Sequence, residues 1–334
     1  MEGETENVFL SIIIPVWNRP NEIVRAVHSV AVQLCGRRAE IIVVDDASTD
    51  DTPSVLKNLS FEYSCVKPLN LTRHSGAAAA RNAGLKVARG IYIWFVDSDD
   101  IVNSGAIQLI WTELEKDSPD ILRFDKQNSL TENTFSPPEL REPPRISKYD
   151  FRTDTDGLMT CLSMGSVWNS VFTRKVIGNI RFEETLSYGE DAVFTWAVAL
   201  CAKECVYIHV PLYSYLETPG SLTWTKTVER FRCYMLQIGC FLKLIECSEL
   251  DNEQKERLYS DCYWRVYSHA FGCFRTSEIN SEMWRIWRKT YSSVMIANPH
   301  RSFPKRFLSG LFYPFLNKYI ANAVFIHLLH SRQN

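Results

Sequence analysis

Three acidic clusters hold the side chains best suited to chemistry: Asp97-Ser98-Asp99-Asp100, Asp45-Asp46 and Glu190-Asp191. In the first, three carboxylates fall within four positions, which is costly unless a positive group sits among them. A divalent cation carrying a diphosphate is one such group. An acidic turn that caps the following helix is the plainer reading. Asp45-Asp46 suits an Asx turn ahead of Thr52-Pro53, or an acceptor-only carboxylate facing a ligand N–H. Glu190-Asp191 can supply a general base, or can merely complement the dipole of a helix that begins there.

The elements that must position these residues follow from the apolar pattern. Runs at 9–16 (FLSIIIPV), 40–44 (EIIVV) and 91–96 (IYIWFV) predict buried strands. Further strands are expected at 65–71, 120–124 and 205–216, with 166–173 extended. Helical spacing predicts helices from Pro20-Asn21 through Leu34, then over 52–59, 77–88, 104–115, 151–164 and 192–202. Strand alternating with helix through short links is the pattern of an α/β fold, a mostly parallel sheet with helices on both faces. Ligands of such sheets bind beyond the carboxyl ends of the strands, where Asp45-Asp46 and Asp97 to Asp100 both fall. Residues 126–148, with Pro137, Pro138, Pro143 and Pro144, read as a loop or insertion, and long helical patterns follow Thr225.

A chain of 334 residues suits one large domain with an appendage. The net charge of −2 provides no global field for nucleic acid. Charge is uneven, however: after Glu282 there is no Asp or Glu, while Arg285, Arg288, Lys289, Arg301, Lys305, Arg306, Lys318 and Arg332 follow. Such a basic tail suggests an anionic surface as partner. Residues 307–329 are apolar but interrupted by Pro314, Asn317 and Lys318, a poor membrane span. They read as an amphipathic helix lying on an anionic membrane, or as a helix packed on the body of the protein. The ten cysteines form no C-x-x-C pair, and Cys233, Cys240 and Cys247 share one helical face. The expectation is reduced thiols in the cytoplasm. The acidic start MEGETENVF has no apolar stretch of a secretory signal.

Four stretches resemble glycosyltransferase family 2, the inverting, nucleotide-sugar-dependent enzymes of the GT-A fold. They are Ser11-Ile12-Ile13-Ile14-Pro15-Val16-Trp17-Asn18, residues 40–50 (EIIVVDDASTD), residues 74–84 (HSGAAAARNAG) and Asp97-Ser98-Asp99-Asp100. They fall in order over residues 9–125. Trp17 stands where Tyr is usual in the family, Ala47 where Gly is common and His74 where Asn is more usual. The resemblance implies a catalytic domain at 1–224, with a nucleotide-sugar half at 9–125, the insertion at 126–148 and an acceptor half at 149–224. A helical region at 225–334 would follow, with possible membrane association.

By the same resemblance Pro15, Val16, Trp17, Asn18, Asp46, Gly76, Arg81, Asp97 and Ser98 would bind the nucleotide sugar, with Asp46 accepting from a uracil N3–H. Asp99, helped by Asp97, would hold Mg²⁺ or Mn²⁺ through oxygen, and Asp100 would cap the next helix. Arg81 can reach phosphates, or with Asn82 pin its helix to the sheet. Asp191 resembles the family's catalytic base; Glu190 would orient a sugar hydroxyl, and Trp168 would stack on an acceptor sugar or pack in the core. Leu216 replaces an Arg that many relatives carry after Tyr213-Ser214-Tyr215. The implied reaction moves a sugar, from a UDP-sugar by expectation, onto a glycan acceptor. That acceptor would be lipid-linked, at the cytoplasmic face of the inner membrane, as in bacterial surface-polysaccharide synthesis. A nucleotidyltransferase would show a Gly-rich basic loop where Pro15-Val16-Trp17-Asn18 stand. A sugar-nucleotide-binding protein without transfer activity is the other alternative.

Overall fold

The computed structural model describes residues 7–129, 144–163, 165–216 and 228–274, with a few positions between 285 and 293. Its frame is a run of β-branched strands. Leu10–Val16 (β1) pairs in parallel with Ala39–Asp45 (β2) on one side and with Tyr92–Phe95 (β4) on the other; Val66–Asn70 (β3) lies parallel outside β2. Successive residues serve opposite faces of the sheet. Ile13, Ile42, Val44, Ile93 and Phe95 join one buried apolar cluster, and Ile12, Ile14, Ile41, Val43 and Trp94 join the other. Burial on both faces is why these strands read as continuous apolar runs.

Helices cover both faces. Glu22–Ala31 (α1), Thr52–Glu62 (α2) and Ala106–Asp117 (α4) supply Ile23, Leu56 and Ile110 to the second cluster. Ala77–Val87 (α3), with Thr155–Ser163 (α5) and Glu190–Cys201 (α7), faces the first through Ala80, Leu158 and Trp196. Gly84 on α3 is needed for close approach: a Cβ there would meet Ile13 Cγ2 at 2.5 Å.

Beyond β4 the sheet changes direction. Ser170–Thr173 (β8) is antiparallel to β4 and to Ile121–Ser129 (β6), and β6 runs parallel to the long Glu204–Leu216 (β9). Ile101–Val102 (β5) and Ile146–Asp150 (β7) pair antiparallel with β9. The described strand order is β3-β2-β1-β4-β8-β6-β9-β5, with β7 also on β9. A short helix, Arg174–Ile177 (α6), follows β8.

Two details differ from the sequence reading. The stretch expected as a loop from 126 onward is strand as far as Ser129, and β7 occupies Ile146–Asp150; residues 130–143 lie outside the described residues. Asp125, Lys126 and Gln127 carry no apolar alternation, and β6 shifts register against β9 around Asp125, so the backbone pairs where the side chains give no signal. The two-residue β5 is too short to leave a pattern.

Val228–Cys247 (α8) and Asn252–Phe274 (α9) continue the same core. Phe231, Met235, Phe241, Ile245 and Leu258 belong to the cluster of α5 and α7, and the Phe241 ring stacks on Trp196 at 4.0 Å. The expected division at 224/225 falls outside the described residues, as does the apolar stretch 307–329. Among the described residues no helix is long and apolar enough to cross a membrane. Every cysteine whose side chain is described is free.

Candidate active site

At the carboxyl rim of β1 and β2, two tight turns face each other. Asn18 and Ala47 take positive φ values of 50° and 57°. Asn18 N–H donates to Ser48 Oγ at 2.9 Å, and Thr49 N–H donates to Asn18 Oδ1 at 2.8 Å. Asp45 accepts from Ser48 N–H at 3.1 Å, an Asx turn. Asp46, which ends up buried, does something else. Its Oδ1 accepts from Ser75 N–H at 2.8 Å and its Oδ2 from Gly76 N–H at 2.7 Å, where α3 begins. His74 Nδ1 stands 2.8 Å from the same Oδ2, and the His74 ring stacks on Trp17 at 4.1 Å and 24°. Trp17 and His74 thereby form one exposed aromatic surface anchored on Asp46. Gly76, at φ 91°, adopts backbone that an L side chain rarely takes.

The loop after β4 holds the acid cluster. Its members divide sharply. Asp99 forms an ion pair with Arg19, and Arg25 donates to the Asp99 carbonyl at 2.6 Å. Asp97 Oδ1 accepts from Arg81 Nη2 at 2.9 Å, and burial pushes the Asp97 carboxyl up against the pull of Arg81. Ser98 is buried between them. Asp100 caps no helix, because α4 starts after Gly105. Instead Asp100 is 1% exposed and accepts from Tyr213 Oη–H at 2.7 Å and from Leu216 N–H at 2.9 Å. Tyr213 Oη also accepts from Asp97 N–H at 3.0 Å. The third acid therefore locks β9 to the loop, and burial pushes its carboxyl well above the usual range.

Arg81 joins this loop to α7. Its Nη1 donates to Glu190 Oε1 at 2.8 Å while Nη2 holds Asp97. Asp191 follows at the first turn of α7, after Gly189 at φ 82°. Burial first, and then the Glu190 charge, push the Asp191 carboxyl up to about 7, with Arg81 pulling it down. That value suits a general base working near neutrality. The turn is buttressed by α8: Gln237 Nε2 donates to the Gly189 carbonyl at 3.1 Å, and Tyr188 Oη accepts from Arg230 at 2.9 Å.

Of the residues expected from sequence, the structure brings Arg81, Asp97, Glu190 and Asp191 into one network, and Asp46, Gly76 and, through His74, Trp17 into another, while Asn18 bonds to Ser48 and Thr49 of the facing turn. Pro15 and Val16 are buried in β1, so their contribution there is backbone. Of the pair expected to pin α3 to the sheet, Asn82 exchanges two bonds with the backbone of Phe182, outside the sheet, at 3.0 and 2.8 Å, and Arg81 ties α3 to the acid loop and α7. Trp168 is 5% exposed and stacks on Tyr213 at 4.7 Å, the packing alternative of the two weighed for it. Arg19, Tyr213 and Gln237 carry no role in the sequence reading. Tyr213 appears there only within the Tyr213-Ser214-Tyr215 stretch that resembles relatives, without a role of its own, and Gln237 leaves no signal because its partner is a backbone carbonyl.

The profile described as "Glycosyl transferase family 2" matches residues 11–180, just over half of the chain. The chain belongs to glycosyltransferase family 2. A Campylobacter jejuni relative, GalNAc(5)-diNAcBac-PP-undecaprenol beta-1,3-glucosyltransferase, is 32% identical over 231 residues, covering 68% of this chain and 71% of the relative. The uncharacterized glycosyltransferase EpsJ of Bacillus subtilis is 29% identical, covering 64% of this chain and 62% of that protein. The chain thus spans less than two thirds of EpsJ. In structure, S. aureus TarS residues 1–349 in complex with UDP superposes with a TM-score of 0.70 at 20% identity, covering 87% of this chain and 81% of that one. This shows a shared fold.

Such glycosyltransferases imply a divalent cation. Among the described residues no three His, Cys, Asp or Glu side chains gather as a protein-only metal cage. A Mg²⁺-type ion, however, is bound by one or two carboxylates together with substrate phosphates. Asp97 and Asp99, oxygen donors on one rim loop, fit that demand. For Asp99 the ion would take the place now held by Arg19.

Proposed function

We propose that this family 2 glycosyltransferase transfers a sugar, with inversion, from a UDP-sugar to a hydroxyl of a glycan acceptor in surface-polysaccharide synthesis. The acceptor is lipid-linked in this reading, which the name of the C. jejuni relative supports. The observation that carries the mechanism is the coupling of Asp191 to the acid loop through one buried guanidinium, with its carboxyl held near neutrality.

Asp191 removes the proton of the acceptor hydroxyl as that oxygen bonds to the anomeric carbon. The bond from that carbon to the diphosphate oxygen breaks, and the electron pair leaves with UDP. A Mn²⁺ or Mg²⁺ held by Asp99 and Asp97 would supply Lewis-acid neutralisation of the leaving diphosphate. Arg81 keeps Glu190 and Asp97 in register, so base and leaving-group ends are fixed to one another. Trp17 and His74 offer the aromatic surface for the nucleobase. UDP as the nucleotide rests on the family resemblance, with the UDP-bound TarS fold as support. The site works at the surface of the fold, where a large acceptor can reach it; peripheral attachment to the membrane through the basic C-terminal region belongs to the same reading.

The test is a panel of nucleotide sugars with Mn²⁺, scored by thermal shift and by slow donor hydrolysis. Response to one or a few UDP-sugars is expected. A flat response across all of them removes the donor assignment.

A further inference from the structure

Most cations at the reaction rim are already paired. Arg81 is shared between Asp97 and Glu190, and Arg19 lies against Asp99. Lys126, near the end of β6, differs. Its ammonium sits over the Trp168 ring at 5.1 Å and over Tyr215 at 5.2 Å, and no carboxylate is in ion-pair reach among the described residues. The residue is nonetheless exposed, so a ligand can approach it.

Its place in the sheet aims it at the chemistry. Trp94 of β4 and Leu122 of β6 both stand opposite Val171 of β8. β4 and β6 thus run parallel, and beyond the register shift Lys126 stands opposite Tyr213 of β9. Two strand spacings, roughly 10 Å, separate β6 from β4, the strand that leads into the acid loop. Trp168, beneath the ammonium, stacks in turn on Tyr213, whose hydroxyl holds Asp97 and Asp100. Partial desolvation lowers the Lys126 pKa, and Asp100 is the acid that acts against this. Aromatic faces stabilise an ammonium but leave its N–H donors unused. A cation fixed in this way gains most when an anion completes its shell.

The geometry points to Lys126, on its Trp168–Tyr215 platform, as a subsite for phosphoryl oxygens beside the donor site. This rests on the UDP-sugar reading above and deepens it. The oxygens belong either to the donor diphosphate or to a phosphate on the acceptor, and binding measurements separate the two. Lys126→Gln and Lys126→Arg are compared with wild type by calorimetric titration of UDP and of uridine with Mn²⁺ present. Inorganic pyrophosphate is then added to UDP-saturated protein and read by thermal shift.

If the donor diphosphate fills the subsite, Lys126→Gln weakens UDP about tenfold and leaves uridine unchanged, and Lys126→Arg restores UDP. If an acceptor phosphate fills it, UDP binding is unchanged. The pyrophosphate shift of the UDP-saturated protein is then lost in Lys126→Gln and kept in Lys126→Arg. Equal responses of wild type and Lys126→Gln to both ligands overturn the subsite. A wild-type protein that binds no UDP instead removes the donor reading, and pyrophosphate alone then decides on Lys126. Unchanged melting of unliganded Lys126→Gln shows that folding is not the cause.

Discussion

Asp191 is where residue-scale chemistry is most exposed to test. Its carboxyl must be ionised to accept a proton, so transfer should rise with pH through about 7 and then level off. Asp191→Asn should lower transfer by roughly 10²–10⁴-fold, with Mn²⁺-dependent UDP binding retained; transfer at the wild-type rate would place the base elsewhere. Stability should show the opposite trend. A carboxyl raised in the folded state contributes stability below the ordinary carboxylate range and loses it as pH rises through about 7. Asp191→Asn should therefore melt higher than wild type at pH 8, on the order of 2–4 °C, and the gain should shrink as pH falls and vanish only below the ordinary carboxylate value of 3.8. Arg81→Gln strands Asp97 and Glu190 together, and a cost of about 3–5 kcal/mol in chemical denaturation is expected. The acids themselves were legible in the sequence as clusters. Their division of labour was not, because it depends on which partner each meets: Arg19 for Asp99, Arg81 for Asp97, Tyr213 for Asp100. Those partners come from the turn after β1, from α3 and from β9, and no spacing along the chain reveals them.

At the scale of elements, the turn into α7 is shaped by α8. Gly189 has positive φ, and a Cβ there would meet Gln237 Nε2 at 2.8 Å. Gly189→Ala should cost about 1–2 kcal/mol from backbone conformation alone. Gln237→Ala frees the Gly189 carbonyl and should lower kcat about tenfold with the donor KM little changed. An altered donor KM with normal kcat would show that α8 acts on nucleotide binding instead. The β-branched strands β1, β2 and β4 and the helices between them were readable because burial on both faces, or on one stripe, leaves an apolar period. The end of β6, and β5 and β7, were not readable. They are held by backbone pairing to β9, and backbone bonds carry no side-chain signature.

For the molecule as a whole, α8 and α9 are structural parts of the catalytic body. Phe231, Met235 and Phe241 lie in one core with Trp196 and Phe194 of α7. A fully buried Leu, Phe or Met contributes ~1.5–3 kcal/mol, so loss of several exceeds the ~5–15 kcal/mol by which a domain is stable. A chain ended after Leu216 should therefore lack cooperative thermal unfolding by circular dichroism. A folded, UDP-binding truncation would show that the two helices are an accessory layer.

Asp46 has one more consequence, for redesign of the nucleotide preference. Both of its oxygens are engaged by the start of α3, and His74 occupies Oδ2 as well. The carboxylate behaves as a rivet between two loops, with little of its acceptor capacity left over. Changing it should cripple the pocket before it retunes it. The replaceable part is the ring surface bolted onto that rivet, and variants at His74 are where a library for a different base should begin.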